Sequence, residues 1–184
     1  MDPRDQLDEV LPLLNDLVAS LEPSQLDSAT PCADFVVADI LDHMIGGGTA
    51  FAAAFRGETP PTDGGPVDRV AAFPNAMANL RAAVCSPGAL DRTIAAPFGE
   101  VPGEAFARFV ALDGLIHAWD IAAATGQAFA PSVELVSAVN GFARQAITAD
   151  RRGSGAFGAP IEPPAGASPL VQLVAFTGRT VASR

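Results

Sequence analysis

The chain has 184 residues, 49% of them hydrophobic and 17% charged, which excludes a disordered polymer and suits one domain with a real core. Its 11 basic residues, all Arg, face 21 acidic ones, giving a net charge of −10. Nucleic acids and anionic membrane surfaces both call for clustered Lys and Arg, so neither is expected as a partner.

Two cysteines, Cys32 and Cys85, are too few for a disulfide framework and predict free thiols in a reducing compartment. The opening MDPRDQLDEV lacks the basic and apolar regions of a signal peptide. No apolar run reaches the roughly 20 residues of a membrane span. The expectation is a cytoplasmic protein.

Residues 6–21 repeat Leu7, Val10, Leu11, Leu14, Val18 and Leu21 at helical spacing, and Pro12 among them predicts a kink or a later start. Residues 22–35 read as a turn and a proline-restricted extended stretch, with Asp34 placed to cap the next helix. Residues 35–56 predict that second helix. Gly46, Gly47 and Gly48 within it each cost about 1 kcal/mol against Ala. Such a run admits either a close ligand or backbone, or tight helix packing, and spacing does not choose between them.

Residues 57–66 form a loop, and Pro66 suits the first position of a third helix running to about Cys85, with Pro74 threatening another kink. Residues 86–103 hold Gly, Pro and short β-compatible pieces, as a bundle crossover would. The strongest helical pattern covers 104–125 and ends at Gly126. Another helix is predicted over 132–150, capped by Ser132. A Gly- and Pro-rich tail from 153 ends in a short helix near 169–177. The sum is an all-α fold: a four-helix bundle with a long crossover connection and a short C-terminal helix. It reads as a single domain, 1–184, with 152–184 as a short extension.

The two histidines, His43 and His117, both fall inside predicted helices. On the fourth main helix Phe106, Phe109, Val110, Asp113, Ile116, His117 and Ile121 share the apolar stripe, so Asp113 and His117 stack one turn apart on the core side. A carboxylate there is expensive unless compensated. A divalent metal would compensate it, and Asp-xxx-His on one face can grip one ion. His43 shares a stripe with Val36, Ile40 and Gly47. If the two helices face each other, His43, Asp113 and His117 converge as three ligands with open positions, a pattern that catalytic zinc uses and nickel or iron also accepts. The alternative is a buried salt bridge between Asp113 and His117, with His43 a hydrogen-bonded core residue.

Asp120, three residues after His117, could orient that imidazole, but solvation on the helix flank is the expectation. Trp119 is read as packing and Asp42 as solvent-facing. Cys32 has no basic residue near it in sequence to lower its pKa, so an inert thiol is expected. No nucleophile elbow, phosphate loop or dinucleotide fingerprint is present.

Thr30-Pro31-Cys32, then Val37-Ala38-Asp39-Ile40-Leu41 leading to His43, resembles the opening of the DinB-like metal-dependent superfamily, and more closely the mycothiol-dependent maleylpyruvate isomerase type. The segment Asp113 to Ala122, followed by Ala124-Thr125-Gly126, resembles that group's second ligand motif. The end, from Ala167-Ser168-Pro169-Leu170 to Gly178-Arg179, is similar to a subgroup of small actinobacterial members. Phe35 stands where the family often has Trp. The resemblance implies a four-helix bundle whose metal is held by His43, Asp113 and His117, with Asp113 a permitted variant.

It also implies a metal-dependent enzyme that uses a low-molecular-weight, mycothiol-like thiol for S-transfer or thiol-assisted isomerisation of a small electrophile. Zinc is the expected ion and nickel the second choice. The partners would be the thiol and the electrophilic substrate, and a homodimer is the suggested assembly. Two other readings share the same residues. One is a metal-dependent hydrolase using bound water. The other is a non-catalytic stress protein that binds metal or a small ligand.

Overall fold

A computed structural model describes residues 1–61, 68–96, 99–153 and 157–181. Seven helices carry the described chain, and one two-stranded hairpin interrupts them. The first helix, α1, spans Pro3–Ala19; the Asp2 side chain accepts from the Arg4 amide, and Pro3 occupies the first turn, where an N–H would lack a partner anyway. The helix continues through Pro12, which lies on the exposed side, so the later start expected from that proline is not found. Its buried stripe is Leu7, Val10, Leu11, Leu14, Leu17 and Val18.

The segment before the second helix folds tightly. The Thr30 hydroxyl donates to the Phe35 carbonyl at 2.8 Å, and Ala29 bridges to Val36. The second helix, α2, spans Val37–Arg56. Asp34 does not cap it, contrary to expectation: Asp34 sits at φ +66°, a left-handed turn position that Asp tolerates. The reaching carboxylate is Asp39, which accepts from the Val36 amide at 2.9 Å. Gly57, at φ +72°, ends the helix.

The third helix, α3, spans Arg69–Val84 and is capped by Asp68, which accepts from the Ala71 amide. The proposed start at Pro66 lies outside the described residues. The crossover contains more order than its sequence suggested. Strands β1 (Thr93–Ala96) and β2 (Gly99–Pro102) pair antiparallel, with Ile94 opposite Val101 and both side chains turned inward.

The fourth helix, α4, spans Gly103–Thr125 and stops at Gly126, φ +72°, as its sequence predicts. The fifth, α5, spans Val133–Ala146, with the Ser132 hydroxyl accepting from the Leu135 amide. It does not run to residue 150: Ile147 leaves helical geometry and buries its side chain, and a short α6 restarts at Ala149–Gly153. The last helix, α7, spans Pro169–Phe176.

The fold is all-α and DinB-like. Helix α1 packs against α4 and α3, and α2 packs against α3 and α4, so these four enclose the core. Leu14, Ile40, Phe55, Phe73 and Leu115 lie at its centre, each contributing about 1.5–3 kcal/mol by burial. Gly48 faces α3, where an added Cβ would lie 2.8 Å from the Met77 methyl, so this glycine serves helix packing. No helix among the described residues is long and apolar enough to cross a membrane.

The chain after α6 folds back on the bundle. The Arg144 and Arg152 guanidiniums lie 4.8 and 4.7 Å from the Phe176 ring centre, and Arg152 also donates to the Phe176 carbonyl at 2.9 Å. Gly158 and Gly178 cross with their backbones in contact, too close for a side chain on Gly178. That crossing delivers Arg179 to α4.

Candidate metal centre

Helices α2 and α4 bring His43, Asp113 and His117 together. His43 Nε2 lies 3.4 and 3.3 Å from the two Asp113 oxygens. His117 Nε2 lies 3.5 Å from Asp113 Oδ1. Each residue offers one donor atom within 4.8 Å of the others, with two nitrogens and one oxygen in the set. The spacing on α4 accounts for half of this: positions i and i+4 share a face, so Asp113 and His117 point the same way. The other half is tertiary, because α2 sets His43 across from them.

The three differ in exposure. The His43 and Asp113 side chains are 39% and 37% accessible, whereas that of His117 is 7%. They form the polar floor of a pocket of about 330 Å³ whose walls are mostly apolar, with Phe35, Phe51, Phe106 and Phe109 prominent. The Phe35 ring stacks parallel to the His117 imidazole at 6.5 Å and meets the His43 ring edge-on at 6.1 Å. It braces both imidazoles.

Burial pushes the Asp113 carboxyl up, but the charge and hydrogen bond of His117, followed by those of His43, outweigh it and hold it well below the ordinary carboxylate range. Burial likewise favours neutral His117. The charge and hydrogen bond of Asp113, and then those of Asp120, overcome that and raise its pKa to about 9.

Asp120 is not solvated. It is fully buried, and its carboxylate lies 3.1 Å from His117 Nδ1. Arg179, itself 7% exposed, approaches the same carboxylate with a terminal nitrogen at 3.1 Å and with Nε at 3.4 Å. The expectation of a solvated flank failed because the compensating cation comes from 59 residues away. A buried carboxylate holding Nδ1 leaves Nε2 of His117 aimed at the pocket, which is how metal-binding imidazoles are commonly oriented.

Cys32 also proves to have a basic neighbour, contrary to the sequence reading: a terminal nitrogen of Arg179 lies 3.5 Å from its sulfur. Burial pushes the thiol pKa up, and the pull of Arg179 downward is the weaker influence. Cys32, His117 and Asp120 form a second group with ligand-like spacing. Arg179 already bonds two of its three members, so a cation there would have to displace a guanidinium. Neither of these two partners of Arg179 belongs to the set of His43, Asp113 and His117.

Trp119 is partly buried and packs against the core. Asp42 lies at the surface, where it receives two bonds from Arg69 at 2.7 and 2.8 Å. Sequence reasoning assigned no site role to Arg151, Phe109 or Phe157, which complete the pocket. No local spacing marks Arg151 and Phe157, since the tail brings them in.

The family model for the mycothiol maleylpyruvate isomerase N-terminal domain matches residues 7–122. That span contains His43, Asp113, His117 and Asp120 and stops short of Arg151 and Arg179. Two uncharacterized proteins, from two strains of Mycobacterium tuberculosis, are each 37% identical over 168 residues, covering 90% of this chain and 91% of their own length. No solved structure matches the chain.

Proposed function

The chain belongs to the mycothiol maleylpyruvate isomerase N-terminal domain family, and on that premise we propose a metal-dependent enzyme that uses a low-molecular-weight thiol on a small electrophile. His43, Asp113 and His117 would hold a divalent ion, zinc first and nickel second, since two imidazoles and one carboxylate suit both. The observation that supports this reading most is the convergence of three donor atoms within 4.8 Å at the floor of a largely apolar pocket. A bound ion there would supply the positive charge that favours the thiolate form of a mycothiol-like thiol at neutral pH.

The chain's own residues do the rest. Asp113 sets a negative charge between the two imidazoles. Asp120 holds His117 in one ring orientation, and Arg179 gives the buried Asp120 carboxylate a cationic hydrogen-bond partner. The four phenylalanines restrict water around the thiol and give the electrophile an apolar seat. The outcome would be S-transfer, or isomerisation of a substrate that adds and then releases the thiol.

A hydrolase on the same residues is less well supported. Among the described residues lining the pocket, Asp113 is the only carboxylate, and it belongs to the ligand set. Asp120 is taken by His117 and Arg179, so no general base remains for a bound water. A non-catalytic binding role would need only the apolar walls.

Cobalt substitution tests the proposal. Adding a thiol to the cobalt(II)-loaded protein should produce a sulfur-to-cobalt charge-transfer band that His43→Ala abolishes. Cobalt loading without such a band, at saturating mycothiol, would remove the thiol from the account.

A further inference from the structure

His117 faces two groups of donors at once. Its Nε2 lies 3.5 Å from Asp113, in the set with His43, and its Nδ1 lies 3.1 Å from Asp120. On the Asp120 side, Cys32 Sγ, a ring nitrogen of His117 and an Asp120 oxygen all lie within 4.8 Å of one another. A thiol, an imidazole and a carboxylate make a ligand set of their own, and its sulfur suits zinc and softer ions. The turn before α2 holds Cys32 there: its amide donates to the Thr30 hydroxyl at 3.2 Å, and its carbonyl accepts from the Phe35 amide at 3.1 Å.

Arg179 occupies this second set. One terminal nitrogen lies 3.1 Å from Asp120 Oδ2 and 3.5 Å from Cys32 Sγ, so it touches two of the three donor residues. Nε adds contacts of 3.4 Å to both Asp120 oxygens, and the other terminal nitrogen donates to the Thr177 carbonyl at 3.5 Å. The side chain is buried, and its backbone is anchored where the tail crosses itself, with the Arg179 amide donating to the Val174 carbonyl at 3.1 Å. A guanidinium does not give up its charge, so a dication entering this buried place would meet both repulsion and a filled volume.

We infer that Arg179 sets the metal specificity of the pocket: it closes a second, sulfur-bearing site at Cys32, His117 and Asp120, and so keeps the centre to one ion on His43, Asp113 and His117. This inference rests on the proposed function and deepens it. Cys32 lines the same pocket as the first ligand set. Without Arg179 its sulfur would compete with the incoming thiol for metal, and His117 would be shared between two ions. With Arg179 in place, the sulfur that meets the metal is the one that enters. The control comes from the tail, since Arg179 lies beyond the segment that matches the family.

Cobalt(II) titration without added thiol tests it, on the full chain carrying Cys85→Ser so that Cys32 is the remaining cysteine. Elemental analysis counts the bound cobalt, the charge-transfer band reads sulfur ligation, and circular dichroism checks folding. With Arg179 intact the chain should hold about one ion and show no band. Arg179→Gln, which keeps an amide donor for Asp120, and Arg179→Ala should each show the band and raise the uptake to about two ions. Either variant, if folded, decides the matter. Adding Cys32→Ser should abolish both the band and the second ion, and Arg179→Lys, which keeps a cation, should stay close to the parent. Folded Arg179→Gln or Arg179→Ala protein without a Cys32-dependent band overturns the inference, and so does a band in the parent chain. A parent chain that takes up no cobalt overturns the proposed function instead, and the band in the Arg179 variants still decides the role of Arg179.

Discussion

Asp120 fixes His117: three residues apart on α4, they meet at 3.1 Å through Nδ1, and that bond turns the other ring nitrogen toward His43 and Asp113. A carboxylate at this place does two things. It sets the imidazole's orientation, and it raises the basicity of the nitrogen that would face a metal. Asp120→Asn keeps the shape and an acceptor oxygen but removes the charge. Zinc affinity, measured by competition with a chromogenic chelator, should fall about 10- to 100-fold. An unchanged affinity would mean that Asp120 is structural only.

Arg179 answers the buried charge of Asp120. Arg179→Met should destabilise the protein by about 3–5 kcal/mol, the usual cost of leaving a buried charge without its partner. Replacing both, as Asp120→Asn with Arg179→Met, should recover much of that loss. Urea denaturation of the two single variants and the double variant measures the coupling. Strict additivity would show that the pair does not interact energetically.

The pH dependence comes from His117. Its pKa in the folded, metal-free protein is raised to about 9, above the ordinary 6.5, because Asp113 and then Asp120 outweigh burial. A raised pKa contributes stability that is complete below about pH 6.5 and is lost as pH climbs through about 9. Thermal denaturation of the metal-free protein should therefore show a falling midpoint across that window. Zinc must displace the same proton, so its affinity should rise roughly tenfold per pH unit up to about pH 9 and then level off. Affinity that is flat between about pH 7 and 8.5 would contradict this.

Two glycines should respond in opposite directions. Gly46, on α2, has open space where a Cβ would go, and Gly46→Ala should stabilise by up to about 1 kcal/mol through helix propensity. At Gly103, where β2 gives way to α4, a Cβ would lie 2.5 Å from the Ala89 carbonyl oxygen. Gly103→Ala must move backbone and should cost about 1–3 kcal/mol. Denaturation midpoints of the two variants check both signs.

Legibility in the sequence depends on the range of each signal. Helix α4 is legible because its apolar stripe and Gly126 are local, and the i, i+4 pair of Asp113 and His117 comes with it. Ser132 marks the start of α5 for the same reason. Asp34 misleads, since a residue suited to capping also tolerates a left-handed turn, and Asp39 reaches back to Val36 instead. The end of α5 is misplaced because burial of Ile147, a tertiary event, overrides a continuing helical pattern. Asp120 is misjudged on the same principle: Arg179 gives it a reason to be buried, and no window on α4 contains Arg179. Pocket residues from the tail, Arg151 and Phe157, are hidden likewise, because only the folded chain places them beside α4.

The central claim is that His43, Asp113 and His117 act as one ligand set, and elemental analysis addresses it most directly. Wild type purified without chelator, and again after incubation with zinc or nickel, should carry about one divalent ion per chain. His43→Ala and Asp113→Ala should each lose it while keeping their helical circular dichroism. A wild type that carries no metal and takes up neither ion would contradict the account, and would leave the three side chains as a hydrogen-bonded cluster alone.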